Sequence, residues 1–276
     1  NEESLFYANK KFTGTFTIDG FDIDLEQSAN ETFLDIIKVL NPIDATENSK
    51  VEVNNCLLSV KTQNGGCRLF YSEKDSDDLW DTVTKPTNNI KILNTKINAD
   101  TLDGISVTSH TGEVLIQNIK TNCKLSMVGK SVTIEDSSFD NQLYTITEKP
   151  DDQFYLTNLN DADSFAYIKN SYFNNLILKA YYDVTMEDSV LENVALHSAT
   201  NGLSNLNILN TTLNLVNING YALEYGSLCM KNSTMEANTC RGSNLIQIED
   251  SEFTVYNLKA WVSFQNTCYY EGKILL

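Results

Sequence analysis

Arginine is almost missing from this chain. Among 276 residues it occurs only at Arg68 and Arg241, and 20 basic residues face 37 acidic ones, for a formal charge of -17. No run of bases could neutralise a phosphate backbone, which excludes nucleic acid as an expected partner and makes an anionic membrane surface an equally poor one. An acidic polysaccharide would be repelled by the overall field unless a local Ca²⁺ reversed it. No apolar run approaches the length of a membrane span, so direct membrane insertion is not expected. A starting methionine and a signal peptide are also lacking: the chain opens on NEESLFYANK and closes on YYEGKILL. That reads as a processed mature chain, or as a piece of a larger chain or assembly. Metal-finger spacing is absent among Cys56, Cys67, Cys123, Cys229, Cys240 and Cys268.

What is present is a repeat. Apolar residues make up 41% of the chain, enough for a folded core. The frame hydrophobic, any, hydrophobic, any, Asn/Asp, Ser/Thr/Cys, any, hydrophobic recurs as VEVNNCLL at 51, IKILNTKI at 90, VTIEDSSF at 132 and AYIKNSYF at 166. It continues as VTMEDSVL at 184, LNILNTTL at 206, LCMKNSTM at 228 and IQIEDSEF at 246. VLIQNIKT at 114, VSFQNTCY at 262 and FTIDGFDI at 16 are degenerate copies, the last with glycine at the turn. Starts at 114 and 132 are 18 apart, those at 90 and 114 are 24 apart, and those at 184 and 206 are 22 apart. The steps of 39 from 51 to 90 and of 34 from 132 to 166 are too long for one plain turn and hold a missed copy or an inserted loop. A short strand repeated every 18 to 24 residues marks a solenoid, and β-branched VTI and IQI favour strand. Leucine-rich and helical repeats do not fit the spacing.

VTIEDSSF, VTMEDSVL and LNILNTTL resemble the V-x-I-x-N-N/S-x-I repeats of the right-handed parallel β-helix, or pectin-lyase-like, superfamily. The resemblance covers about residues 50–276 and implies a fold rather than an activity, since that superfamily holds lyases, hydrolases, viral tailspikes, adhesins and surface proteins. The asparagine-rich style also resembles large surface proteins of protists.

The fold class expected is therefore all-β: one parallel β-helix over residues 51–276, preceded by a segment 1–50. In the repeat, the first and third positions face inward, and the Asn or Asp ends the strand at a corner where a left-handed conformation is needed. The following Ser or Thr turns inward or caps the corner. SANETFLDIIKVL at 28–40 places Phe33, Ile36, Ile37 and Leu40 at i, i+3, i+4, i+7, which predicts a short helix that covers the open end of the solenoid. Turn-rich stretches at 63–89 and 147–165 are expected as loops leaving the solenoid, and such insertions often gather on one face and bind.

Candidate chemistry is sparse. Asp75, Asp77, Asp78 and Asp81 could hold Ca²⁺ through carboxylates, although the glycine and final glutamate of a calcium loop are missing; a solvated acidic loop is the plainer reading. Asp151, Asp152, Asp161 and Asp163 form a looser group. The family's hydrolases carry N-x-D, D-D, G-H-G and R-x-K; this chain has neither G-H-G nor R-x-K, and His110 and His197 lie outside any such context. Trp80, Trp261 and the pairs Tyr181-Tyr182 and Tyr269-Tyr270 are candidate sugar platforms, or side chains that stack between coils. Disulfides Cys56–Cys67 and Cys229–Cys240 are expected, with Cys229 pointing outward. The sequons at Asn30, Asn210 and Asn232 agree with an extracellular or cell-surface location. The leading function is a non-enzymatic structural or adhesion domain that presents an elongated surface to protein or carbohydrate. The alternative is a polysaccharide lyase or glycoside hydrolase, with Lys74, Lys85 or Arg68 as the base beside the Asp75–Asp81 group.

Overall fold

A computed structural model describes residues 4–8, 14–27, 33–41, 49–62, 66–74, 88–100, 104–109, 112–121, 123, 125–140, 143–147, 165–174, 176–180, 183–198, 205–219, 227–241, 245–259 and 270–275. Among these residues every regular element is a strand. Through β18 they follow one another three to a coil. The first coil is β1 (Ser4–Ala8), β2 (Gly14–Asp19) and β3 (Asp22–Gln27); the second is β4 (Phe33–Asn41), β5 (Ser49–Asn54) and β6 (Leu57–Thr62). Then come β7 (Gly66–Lys74), β8 (Asn88–Leu93) and β9 (Lys96–Asp100), followed by β10 (Ile105–Thr108), β11 (Glu113–Gln117) and β12 (Lys120–Thr121). Next are β13 (Leu125–Gly129), β14 (Ser131–Glu135), β15 (Ser138–Phe139), β16 (Leu143–Thr147), β17 (Phe165–Lys169) and β18 (Tyr172–Asn174). The chain continues with β19 (Leu176–Ala180), β20 (Asp183–Glu187), β21 (Val190–Ser198), β22 (Asn205–Leu209) and β23 (Thr212–Asn219). It ends with β24 (Ser227–Lys231), β25 (Thr234–Arg241), β26 (Leu245–Lys259) and β27 (Tyr270–Leu275).

Each strand pairs in parallel with its counterpart in the next coil. The β1 column runs β1–β4–β7–β10–β13–β16–β19–β21. The β2 column runs β2–β5–β8–β11–β14–β17–β20–β22–β24–β26. The β3 column runs β3–β6–β9–β12–β15–β18–β21–β23–β25–β26. Near the C-terminal end β21, β23, β25 and β26 pass through the corner between strands without a break, so the columns merge. This is the stacked parallel pattern of a β-helix. The columns continue through β1–β4, so residues before 50 join the same stacks.

The period of two sets the core. Ile92, Ile116, Ile134 and Ile168 lie in register one coil apart, all within 2% exposure. Phe139 stacks on Phe173 with ring centroids 4.7 Å apart and planes 9° from parallel. Burying such a side chain stabilises by roughly 1.5–3 kcal/mol, and a ladder of them fills the interior without needing a partner helix.

Two expectations are corrected. Phe33–Asn41 is strand β4, not a helix. Ile36 and Ile37 are both buried, and a strand apolar on successive positions imitates helical spacing when only its apolar residues are counted. Within the stretch 63–89 expected as a loop, Gly66–Lys74 is strand β7, held between β4 and β10. The long steps from 51 to 90 and from 132 to 166 contain no missed copy in the β2 column, since Val51 pairs with Ile90 and Val132 with Ala166.

Candidate functional site

The corner between the β2 and β3 columns is built the same way in coil after coil. Two residues span it each time: Asn55-Cys56, Asn94-Thr95, Asn118-Ile119, Asp136-Ser137, Asn170-Ser171, Asp188-Ser189, Asn210-Thr211 and Asn232-Ser233. The first residue of each pair has φ between 46° and 55°. Gly20 holds the same place in the first coil at φ 74°, and Asp250 does so within β26 at φ 47°. Asn and Asp are the side-chain-bearing residues that tolerate this left-handed region best. Their amides then bond along the stack: Asn118 Nδ2 donates to Asn94 Oδ1 at 2.7 Å, Asn170 to Asp136 at 2.7 Å, Asn210 to Asp188 at 3.0 Å and Asn232 to Asn210 at 3.2 Å.

Where the second residue is Ser or Thr, it faces inward and does two jobs with one hydroxyl. Thr211 Oγ1 donates to Leu209 O at 2.8 Å and accepts from Ser189 N at 3.2 Å in the preceding coil. Ser171, Ser233 and Ser251 repeat this at 3.0–3.1 Å for the accepted bond and 2.7 Å for the donated one. Backbone groups complete the corner, with Asn210 N donating to Lys231 O at 2.9 Å and Thr212 N to Ser189 O at 3.0 Å. In these coils the turn N–H groups, the inward hydroxyls and the asparagine amides are engaged within the stack.

Cys56 occupies the hydroxyl position of its coil. It is buried, its Sγ lies 3.1 Å from Asn54 O, and its N–H points to Thr95 Oγ1 at 3.4 Å. Cys56, Cys67, Cys123 and Cys229 are all free thiols. The expected Cys56–Cys67 and Cys229–Cys240 bridges are therefore overturned: Cys56 fills a serine slot at a corner, and Cys67 lies inside the β1 column. Burial, with Asp35 and then Cys123 nearby, pushes the Cys67 thiol up to about 12. Cys229 does face outward, in register with Asn207 and Gln247, and is half-buried.

The corner between the β1 and β2 columns behaves in the opposite way. Lys130 alone links β13 to β14, whereas β7 ends at Lys74 with β8 beginning at Asn88, and β16 ends at Thr147 with β17 beginning at Phe165. Where the connection is short it is tightly packed: Lys130 N donates to Gly112 O at 2.8 Å, Gly112 N to Ser109 Oγ at 3.1 Å, and any Cβ at Gly112 would overlap the Asn88 carbonyl. Asp75, Asp77, Asp78 and Asp81, and likewise Asp151, Asp152, Asp161 and Asp163, fall in the two long connections and lie outside the described residues, as do Lys85, Trp80, Trp261, His110, Tyr181, Tyr182 and Tyr269. What the fold does fix is where those connections are anchored. Both leave from the same corner, at β8 and β17, three strand steps apart or roughly 14 Å. His197 lies in β21, Tyr270 opens β27, Lys74 closes β7 and Arg241 closes β25.

Two charged groups were not apparent from the sequence. Arg68 grips Asp35 through two bonds, Nε to Oδ1 and Nη2 to Oδ2, the second at 2.7 Å, and its guanidinium lies 4.4 Å from the centroid of the Tyr71 ring. Only the register of β4 against β7 brings these residues together. On the β2 column, Glu187 accepts from Tyr167 Oη at 2.6 Å and from Lys169 Nζ at 3.3 Å. Those two bonds hold its carboxyl below the usual range, so it is a poor proton donor and a settled counter-ion. Among the described residues no group of three His, Cys, Asp or Glu is placed to hold a metal ion, and no helix is long and apolar enough to cross a membrane.

No family model, no curated protein and no solved structure matches the chain.

Proposed function

We propose that this chain is a single parallel β-helix solenoid of the pectin-lyase-like kind, and that it works without catalysis as an extracellular or cell-surface structural or adhesion domain. Its elongated body presents the connections between the β1 and β2 columns to a protein or glycan partner. The observation that supports this is the contrast between the corners. One is held to two residues and has its polar groups committed to the stack, while the other accepts connections from Lys130 alone to the stretch between Thr147 and Phe165. A scaffold that varies at one edge and repeats at the other concentrates its diversity along a line, as solenoid binding proteins do.

The free thiols remove one support for an oxidising compartment. The sequons remain: Asn210 and Asn232 are both exposed at the constant corner. Calcium at Asp75, Asp77, Asp78 and Asp81 belongs to this reading as a local bridge to an acidic glycan.

The test is a screen of the purified chain against pectate, alginate and neutral glycans with millimolar Ca²⁺, read both for binding and for turnover. The expected result is binding without product, lost when residues 148–164 are replaced by a short Gly-Ser link while the circular dichroism stays strand-dominated. Absorbance from an unsaturated product, abolished by Asp77→Ala with Asp78→Ala, would replace this reading with a lyase.

A further inference from the structure

Two of the sequons meet in space. Asn210-Thr211-Thr212 and Asn232-Ser233-Thr234 are 22 residues apart in the chain, yet hold the same corner position in successive coils. Asn210, Asn232, Thr212 and Thr234 are all exposed, so both amides stand at the surface with a hydroxyl two residues on, the groups that mark an acceptor asparagine. Asn232 Nδ2 donates to Asn210 Oδ1 at 3.2 Å, and Asn210 Nδ2 donates to Asp188 Oδ1 at 3.0 Å. A side-chain amide has two N–H donors. One joined to a sugar keeps one N–H, which is all that the row of bonds requires.

Room is the limit. Strands of neighbouring coils lie roughly 4.8 Å apart, and the hydrogen bond between the two amides holds them one such step from each other. A branched oligosaccharide is far wider than one strand step. Asp188 and Asp250 flank the pair in the row and have no amide nitrogen to modify. We propose that Asn210 and Asn232 form one shared N-glycosylation site: a folded chain carries a single N-linked oligosaccharide on one of the two and never on both. The donor is an oligosaccharide held on a lipid diphosphate. The bond from asparagine Nδ2 to the sugar C1 forms and the bond from C1 to the phosphate oxygen breaks. The lipid diphosphate leaves, and one amide proton passes to the transferase's base. Both asparagines are open to this reaction in an unfolded chain, so the exclusion acts on folding: a chain modified twice cannot bring the two amides within hydrogen-bond distance. The inference rests on the cell-surface reading above only for the compartment in which the chain meets the transferase.

The experiment supplies that compartment. The intact chain, fused behind a secretion leader and carrying Asn30→Gln, is made in a glycosylating cell. Mass spectrometry of the secreted protein counts oligosaccharides per molecule, and tryptic cleavage after Lys231 separates the two sites. Molecules with one oligosaccharide should outnumber those with two at least tenfold. Thr212→Ala and Thr234→Ala, each at an exposed position outside the turn, should move the oligosaccharide wholly to the remaining asparagine. Tyr172→Thr with Thr234→Ala leaves acceptors at Asn170 and Asn210, two strand steps or roughly 10 Å apart. There the share of doubly modified molecules should rise at least tenfold. Should that variant not be secreted, the retained fraction of the parent chain decides, since doubly modified molecules should collect there. A secreted parent chain with two oligosaccharides, or with none, would overturn the proposal. So would a remaining site that stays empty in either alanine variant, or an Asn170 and Asn210 pair held to one as strictly as the parent. Glycan binding by the unmodified chain does not enter these counts, so the function proposed above stands or falls separately.

Discussion

Asn210 offers a test in which the usual ranking of two residues reverses. In ordinary strands alanine is the more stabilising residue and glycine costs roughly 0.5–1 kcal/mol more, because glycine loses more backbone freedom on folding. At Asn210 φ is 48°, where a Cβ on a residue other than Asn, Asp or Gly costs about 1–2 kcal/mol. Either substitution also removes the amide bonds to Asp188 and from Asn232, at 3.0 and 3.2 Å. Those bonds are exposed, so together they are worth about 1 kcal/mol. Asn210→Gly should therefore lower stability by about 1 kcal/mol, and Asn210→Ala by about 2–3 kcal/mol. Asn210→Val should be worse again, because a β-branched side chain suits this region least. Urea unfolding of the three variants, with unchanged m-values, gives the order directly. An alanine variant as stable as the glycine variant would refute the argument that backbone conformation, rather than the amide ladder, dictates the corner residue.

Other perturbations probe the rest of the stack. Thr211→Val keeps shape but strands the buried Ser189 N–H, while the Leu209 carbonyl still accepts from Asp188 N, so urea unfolding should show a loss of about 1–3 kcal/mol, against less than ~0.5 for Thr212→Val on the exposed side. Arg68→Met leaves Asp35 charged at 2% exposure and should cost about 3–5 kcal/mol, most of it recovered in the Asp35→Leu, Arg68→Met double variant. In the folded chain the Cys67 thiol titrates at about 12 rather than 9.0, so its burial favours the fold fully below about pH 9 and that benefit is lost as pH rises towards 12. Stability should fall over that window with a slope approaching ~1.4 kcal/mol per pH unit, and Cys67→Val should flatten it. A thiol reagent should label Cys229 in the folded chain, and reach Cys56, Cys67 and Cys123 only after denaturation.

The corner was legible because its chemistry is local. A residue that must adopt positive φ, followed by one that must bond within two residues, writes Asn-Ser or Asp-Ser into the chain wherever the turn recurs. The ten described copies of the frame, from Gly20 to Asp250, all fall at the same corner. Even Cys56 was in the right place, and the error lay in reading it as a bridge when its slot called for a small buried donor. The β1 column was not legible. Its strands have no fixed turn to announce them, and β4 puts Ile36 and Ile37 side by side in the interior. β7 carries an extra residue between Arg68 and Phe70 where it meets β10. The Asp35–Arg68 pair depends on the register of β4 against β7, which no local signal carries. Candidate function was less legible still. The acidic clusters could be found in the sequence, but their anchoring at one corner emerges only from strand pairing.

The aspartates in the corner row give the stack a direction. A carboxylate there can only accept, so Asn170 and Asn210 must turn their amide hydrogens towards Asp136 and Asp188, back towards the start of the chain. Asn118 and Asn232 point the same way. The row is thus a series of bonds that all point one way, interrupted at each aspartate, which cannot donate to the asparagine before it. Growth of such a stack, by duplication within a gene or by contact between molecules, is vectorial at this corner.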